Sequence, residues 1–135
     1  MVHGGVASVL VVDDDLGVLR AVCRALLGHQ VTATDDPDQA LALLGTGQFE
    51  AMVTDLDMPR MHGAKLIAEA RRLPRAAGLA ILVLTGEAVS EVAGARQVLR
   101  KPADPTSLCA ALEAALACPT LACARSILDQ AGPRA

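Results

Sequence analysis

A chain of 135 residues has room for a single packed core. With 53% apolar and 20% charged residues it lies outside the highly charged, weakly hydrophobic class that stays disordered. A net charge of −3, with Phe49 as the single aromatic residue, argues against a basic, base-stacking nucleic-acid binder. No apolar run reaches the roughly 18 residues of a membrane span, and Met1-Val2-His3-Gly4-Gly5 has neither the basic nor the long apolar part of a leader peptide. A soluble, cytoplasmic protein without a membrane partner is the expectation. Cys23, Cys109, Cys118 and Cys123 form no C-x-x-C pair; the first three are expected on helices, and buried, reduced thiols are the reading rather than a disulfide or metal site.

Strand-like and helix-like periods alternate. Val9-Leu10-Val11-Val12 is a continuous apolar run, as in a strand covered on both faces, and it ends in Asp13-Asp14-Asp15. Leu16, Leu19, Cys23 and Leu26 then recur at helical spacing, with Asp15 as the cap and an end near Gly28. Val31–Thr34 reads as an edge strand. Asp36-Pro37-Asp38 has the chemistry of a helix start; Ala40, Leu41 and Leu44 face inward, and Gly45 is the expected stop. Ala51–Thr54 is a third strand, leading into Asp55. Pro59 and Gly63 mark a loop, and Leu66, Ile67 and Ala70 a helix that stops before Pro74. Arg71, Arg72 and Arg75 near its end read as solvated cations beside the helix C-terminus.

Ala80–Leu84 is the clearest buried strand, and Val98-Leu99 is a short fifth. Asp104-Pro105 opens a last helix with Leu108, Ala111, Leu112 and Ala115 inward. Five strands alternating with helices predict an α/β fold, an open, doubly wound parallel sheet. A domain over 6–117 is expected, followed by a tail over 118–135 in which Pro119-Thr120 restarts a short helix with Leu121, Ala124 and Leu128 on one face.

Ligands of such sheets bind at the carboxyl ends of the strands. Here those ends carry Asp13 and Asp14, Asp55, Thr85 and Lys101. Parallel neighbours are about 4.8 Å apart, so three carboxylates, a hydroxyl and an ammonium converge. Clustered carboxylates require a retained proton or a cation, and a small set of oxygen ligands suits Mg2+. Carboxylate nucleophile, metal, cation and hydroxyl together are what a phosphoryl group on an aspartate needs.

Four segments in order, Val11-Val12-Asp13-Asp14-Asp15, Val53 to Gly63 with Asp55-Leu56-Asp57-Met58-Pro59 inside it, Leu84-Thr85-Gly86, and Lys101-Pro102, resemble the receiver domain of two-component response regulators. The resemblance implies a flavodoxin-like sheet of order 2-1-3-4-5 and phosphoryl transfer from a phosphohistidine of a histidine kinase or phosphotransfer protein. It implies Asp55 as phospho-acceptor, with Asp13 and Asp14 as the acidic pair for Mg2+ (or Mn2+), Asp14 the more direct. It also implies a metal contact from the backbone carbonyl of Asp57, phosphoryl contacts from Thr85, Gly86 and Lys101, a frequent cis bond at Pro102, and an acyl phosphate whose lifetime depends on Asp57 and Glu87. Such a module is no enzyme beyond its own phosphorylation and dephosphorylation; it signals by binding an output partner, as a monomer or weak dimer.

Two departures stand out. Val98 occupies the position where the family usually has a ring that swings, and a β-branched aliphatic cannot do this. From Thr85 to Lys101 is a step of only 16 residues, fewer than in that family, so its fourth helix is expected to be short or absent. Phosphorylation is then expected to be read out through another surface. His62 reads as a surface histidine. A pseudo-receiver that binds without phosphorylation is one alternative. A haloacid-dehalogenase-like phosphohydrolase is another, from Asp55-Leu56-Asp57, although Met58-Pro59 follows where that motif expects Thr or Val.

Overall fold

The apolar runs become the centre of one sheet. The computed structural model describes residues 5–117. In it β1 (Ser8–Val12), β3 (Ala51–Thr54) and β4 (Ala80–Thr85) are almost wholly buried, while β2 (Gln30–Thr34) and β5 (Gln97–Arg100) form the half-exposed edges. All neighbours are parallel, in the order β2-β1-β3-β4-β5. The expected doubly wound sheet is therefore the observed one.

Because side chains alternate across a strand, the sheet divides its apolar residues between two layers. Val9 and Val11 enter one core with α1 (Leu16–Ala25) and α4 (Pro105–Ala117). Leu10 and Val12 enter the other with α2 (Pro37–Thr46) and α3 (Gly63–Arg71). Each fully buried Val, Leu or Ile contributes about 1.5–3 kcal/mol by leaving water. A Val/Leu/Ala core with one Phe suffices because the sheet is covered on both sides.

Helix starts follow the cap chemistry. Asp15 Oδ1 accepts from the Gly17 and Val18 amides at 2.8 and 3.3 Å, and Asp36 Oδ1 accepts from the Asp38 amide at 2.9 Å. Several finer expectations need correction. Leu16 is 57% exposed, and α1 turns Leu19, Val22 and Leu26 inward instead. At helical pitch Leu16 lies about a quarter turn from the centre of that stripe. Gly45 does not stop α2, which runs to Thr46 and ends at Gly47, whose N–H reaches the Leu43 carbonyl at 2.7 Å. Cys23 and Cys109 are free but only half-buried, and the Cys109 thiol donates to the Ala25 carbonyl at 3.2 Å. Cys118, Cys123 and the predicted tail helix lie outside the described residues.

Between β4 and β5 the described chain has no helix. Residues 86–96 cross as a strap whose Val89, Val92 and Ala95 pack on the α2–α3 layer together with Val98. This is the expected loss of the family's fourth helix. Gly94 adopts φ +88, and a Cβ there would lie 2.7 Å from Ile67 Cγ2; the strap can therefore press onto α3 only with glycine at this position. Arg71 is not the solvated cation expected: it is half-buried, and its Nη2 donates to the Gly94 carbonyl at 2.6 Å. Arg72 and Arg75 are exposed.

Candidate functional site

The carboxyl ends of β1, β3 and β4 and the turn after β5 bring the predicted residues together. Lys101 Nζ lies 2.9 Å from Asp13 Oδ2 and 3.0 Å from Asp55 Oδ2, bridging the two carboxylates. Asp13 and Asp55 are 2% and 6% exposed. Their other oxygens are held from the backbone: Asp13 Oδ1 accepts from the Asp15 amide at 2.9 Å and Asp55 Oδ1 from the Leu56 amide at 2.6 Å. Each carboxylate is thus fixed at both oxygens. Lys101 is aimed by its own backbone, whose N–H bonds to the Thr85 carbonyl at 2.8 Å, and it precedes a cis bond to Pro102.

Burial holds the Asp13 carboxyl above the ordinary carboxylate range, against its hydrogen bonds from Asp15 and Lys101; the neighbouring charge of Asp55 acts in the same direction as burial. Burial also works against the Lys101 ammonium. The hydrogen bonds and charges of Asp13 and Asp55 outweigh it, so Lys101 is pushed up. The pocket keeps its cation, while burial opposes the charge of Asp13. Oxygens of Asp13, Asp14 and Asp55 lie within 4.8 Å of one another, with Asp14 exposed to solvent. Three hard oxygen donors, one of them open to water, fit a divalent ion that keeps part of its hydration.

A cavity of about 350 Å³ opens beside Asp55, lined by Asp57, Thr85, Gly86, Glu87 and Lys101. Thr85 is fully buried, and its hydroxyl oxygen accepts from the Glu87 amide at 3.0 Å. Asp57 is exposed on the rim. Val98 stands apart from the cavity lining, half-buried against the α2–α3 layer.

Two participants escaped sequence reasoning. His62 is exposed as expected, yet its Nδ1 accepts from the Ala64 amide at 3.1 Å and caps α3, while Nε2 lies 3.4 Å from Glu87 Oε2. The only signal was its place just before a helix, where Ser, Thr, Asn or Asp is usual. Gly63 marks a loop in the sequence, but a Cβ on it would lie 2.0 Å from the Asp55 carbonyl oxygen. Asp55 can sit where it does only because α3 starts on a bare backbone.

The response regulator receiver domain profile matches residues 9–113. A two-component response regulator of rice, ORR5, is 34% identical over 116 aligned residues, covering 78% of this chain and 86% of that protein. The chemotaxis protein CheY of Pseudomonas aeruginosa is 36% identical over 83 residues, covering 58% of this chain and 67% of that one. Among solved structures, the chemotaxis response regulator CheY4 of Vibrio cholerae superposes with a TM-score of 0.76 at 29% identity, over 82% of this chain and 98% of that one.

Proposed function

The chain belongs to the response regulator receiver domain family, and from that premise we propose that it accepts a phosphoryl group on Asp55 from the phosphohistidine of a histidine kinase or phosphotransfer protein. The observation that carries this reading is the Lys101 ammonium bridging Asp13 and Asp55, with Asp14 close by.

In the transfer an Asp55 oxygen attacks phosphorus, the P–O bond forms, and the P–N bond breaks to release imidazole. A buried carboxylate fixed by Leu56 N–H and Lys101 is already oriented for attack, which removes much of the entropic cost. Asp13, Asp14, Asp55 and the Asp57 carbonyl would hold Mg2+ (or Mn2+), which supplies positive charge to the phosphoryl oxygens when bound. Lys101 pairs with a further oxygen. The Thr85 hydroxyl turns from the Glu87 amide to the phosphoryl group, with Gly86 N–H beside it. Asp57 and Glu87 line the approach to the acyl phosphate and set the access of water to it. The domain works in the cytoplasm as a signalling module rather than a turnover enzyme, and it passes the signal on by binding an output protein.

Incubation with Mg2+ and acetyl phosphate, followed by intact-protein mass measurement, tests this. One added phosphate is expected, lost in Asp55→Asn and blocked by EDTA. No adduct across a range of donor and Mg2+ concentrations would leave a pseudo-receiver, a reading that the missing ring at Val98 would then favour. The order of the acids speaks against the phosphohydrolase reading: its metal acids come late in the chain, whereas here Asp13 and Asp14 directly follow β1 and stand beside Asp55.

A further inference from the structure

The strap that replaces a helix covers an electrostatic anomaly away from the acceptor pocket. Arg96 begins the return into β5 and, two residues before Val98, shares that residue's side of the sheet. Its Nε and Nη2 are shielded from water and have no hydrogen-bond partner, and Arg71 Nε is in the same condition. Among the described residues neither guanidinium has an acidic partner within ion-pair distance. Buried donors without acceptors are rare in folded proteins, and each calls for an explanation. Burial, and after it the charge of Arg96, lower the Arg71 pKa.

The orphaned atoms of Arg96 are not an arbitrary pair. Nε–H and Nη2–H lie on one edge of the planar guanidinium and point in parallel, the arrangement that grips two oxygens of one carboxylate or phosphate. Arg96 also lines a cavity of about 110 Å³, together with Ser90, Glu91 and Gln97 and the apolar Val92 and Val98. Its volume corresponds to about four waters and is well below the roughly 300 Å³ of the smallest drug-sized pockets. A small oxyanion fits and a nucleotide does not.

We propose that the Arg96 fork, with Arg71 behind it and Ser90 and Gln97 at the rim, is a binding site for a small oxyanion, a phosphate or carboxylate, beneath the β4–β5 strap. The fork is closed to water in the structure, so entry requires the strap to shift. That displacement breaks few hydrogen bonds: residues 87–96 form no helix, and beyond their apolar contacts they are held by Glu87 N to Thr85 Oγ1, Val89 N to Glu87 O, Ala95 N to Val92 O, Arg96 N to Ile81 O and Gly94 O to Arg71. Glu91 is the internal competitor, an acid already in the cavity lining. The site shares no lining residue with the acceptor pocket, so it stands or falls independently of Asp55 phosphorylation.

The test is an NMR titration of the full 15N-labelled chain in EDTA, with sodium phosphate or sodium acetate against sodium chloride at constant ionic strength. Saturable shifts are expected at the Arg96 Nε–H and at amides 90–97 with phosphate and not with chloride; acetate saturating as well assigns carboxylates to the same site. Arg96→Lys, which keeps the charge and loses the fork, is expected to weaken binding about ten-fold or more, and Glu91→Gln to tighten it. No saturable shift in the wild-type chain overturns the proposal without recourse to any variant. So do shifts centred on Thr85 and Lys101, undiminished binding by Arg96→Lys, or an Arg96 Nε–H that Glu91→Gln alone displaces as phosphate does.

Discussion

Gly63 shows how narrowly the acceptor is placed. Its N–H bonds to the Leu56 carbonyl at 2.7 Å, and any Cβ would collide with the backbone of Asp55 and Leu56. Backbone cannot rotate away as a side chain can. Gly63→Ala is therefore expected to destabilise the protein by about 1–3 kcal/mol, read as a lower urea midpoint, and to slow adduct formation on Asp55 more than on any variant of equal stability. An unchanged midpoint would show that α3 can move away from Asp55 without cost. Asp13, Asp14, Asp55, Thr85 and Lys101 were legible because polar residues stand at the ends of apolar strands, and parallel strands necessarily gather their ends. The roles of Gly63 and Arg71 were not, because each depends on a contact of α3 with a distant segment that no local pattern encodes, and the His62 cap left only its place before a helix as a signal.

At the scale of elements, the order and kind of strands and helices could be read from period and cap chemistry, while their margins could not. Gly45 fails as a stop because a single helical glycine costs only about 1 kcal/mol, which the burial of Ala40 and Leu44 offsets. The start of α4 is a cleaner case. Asp104 Oδ1 accepts from the Ser107 hydroxyl at 2.7 Å and Oδ2 from its amide at 3.1 Å, and these bonds, the hydroxyl first, hold the Asp104 carboxyl below its ordinary 3.8. A carboxyl depressed by folding adds stability above pH 3.8 that is lost as pH falls through the lower folded value. Amide exchange in the first turn of α4 should accelerate across that acid window, and Asp104→Asn should remove the pH dependence. A wild-type first turn indifferent to acid would mean that Pro105 alone sets the start. The strap makes a second case. Arg71→Met removes the bond to the Gly94 carbonyl, so exchange at residues 90–96 should rise with little change at β1 or β3.

At the scale of the molecule, the question is how a phosphoryl group on Asp55 would alter a surface. Asp55 stands at the carboxyl end of the sheet, so the change reaches a surface first through the loops there. One route ends early: Val98 has no ring to turn, and the strap offers no helix to displace. Another is already in contact. If Thr85 turns toward the phosphoryl group it releases the Glu87 amide, and the Glu87 carboxylate faces His62, whose other nitrogen caps α3. Movement at the pocket is therefore linked to the first turn of α3 through the Glu87–His62 contact and the His62 cap. Comparing amide shifts with and without a phosphoryl mimic should show changes at residues 60–67 as well as 85–87, and His62→Ala should suppress the former while leaving the latter. Large changes confined to 86–100 and 104–117, with α3 silent, would show that the output runs through β5 and α4 despite the missing ring. The sequence could indicate only that the usual route was weakened; the His62–Glu87 contact that offers another exists only once β3 and β4 lie side by side, which the 51↔80 register accomplishes.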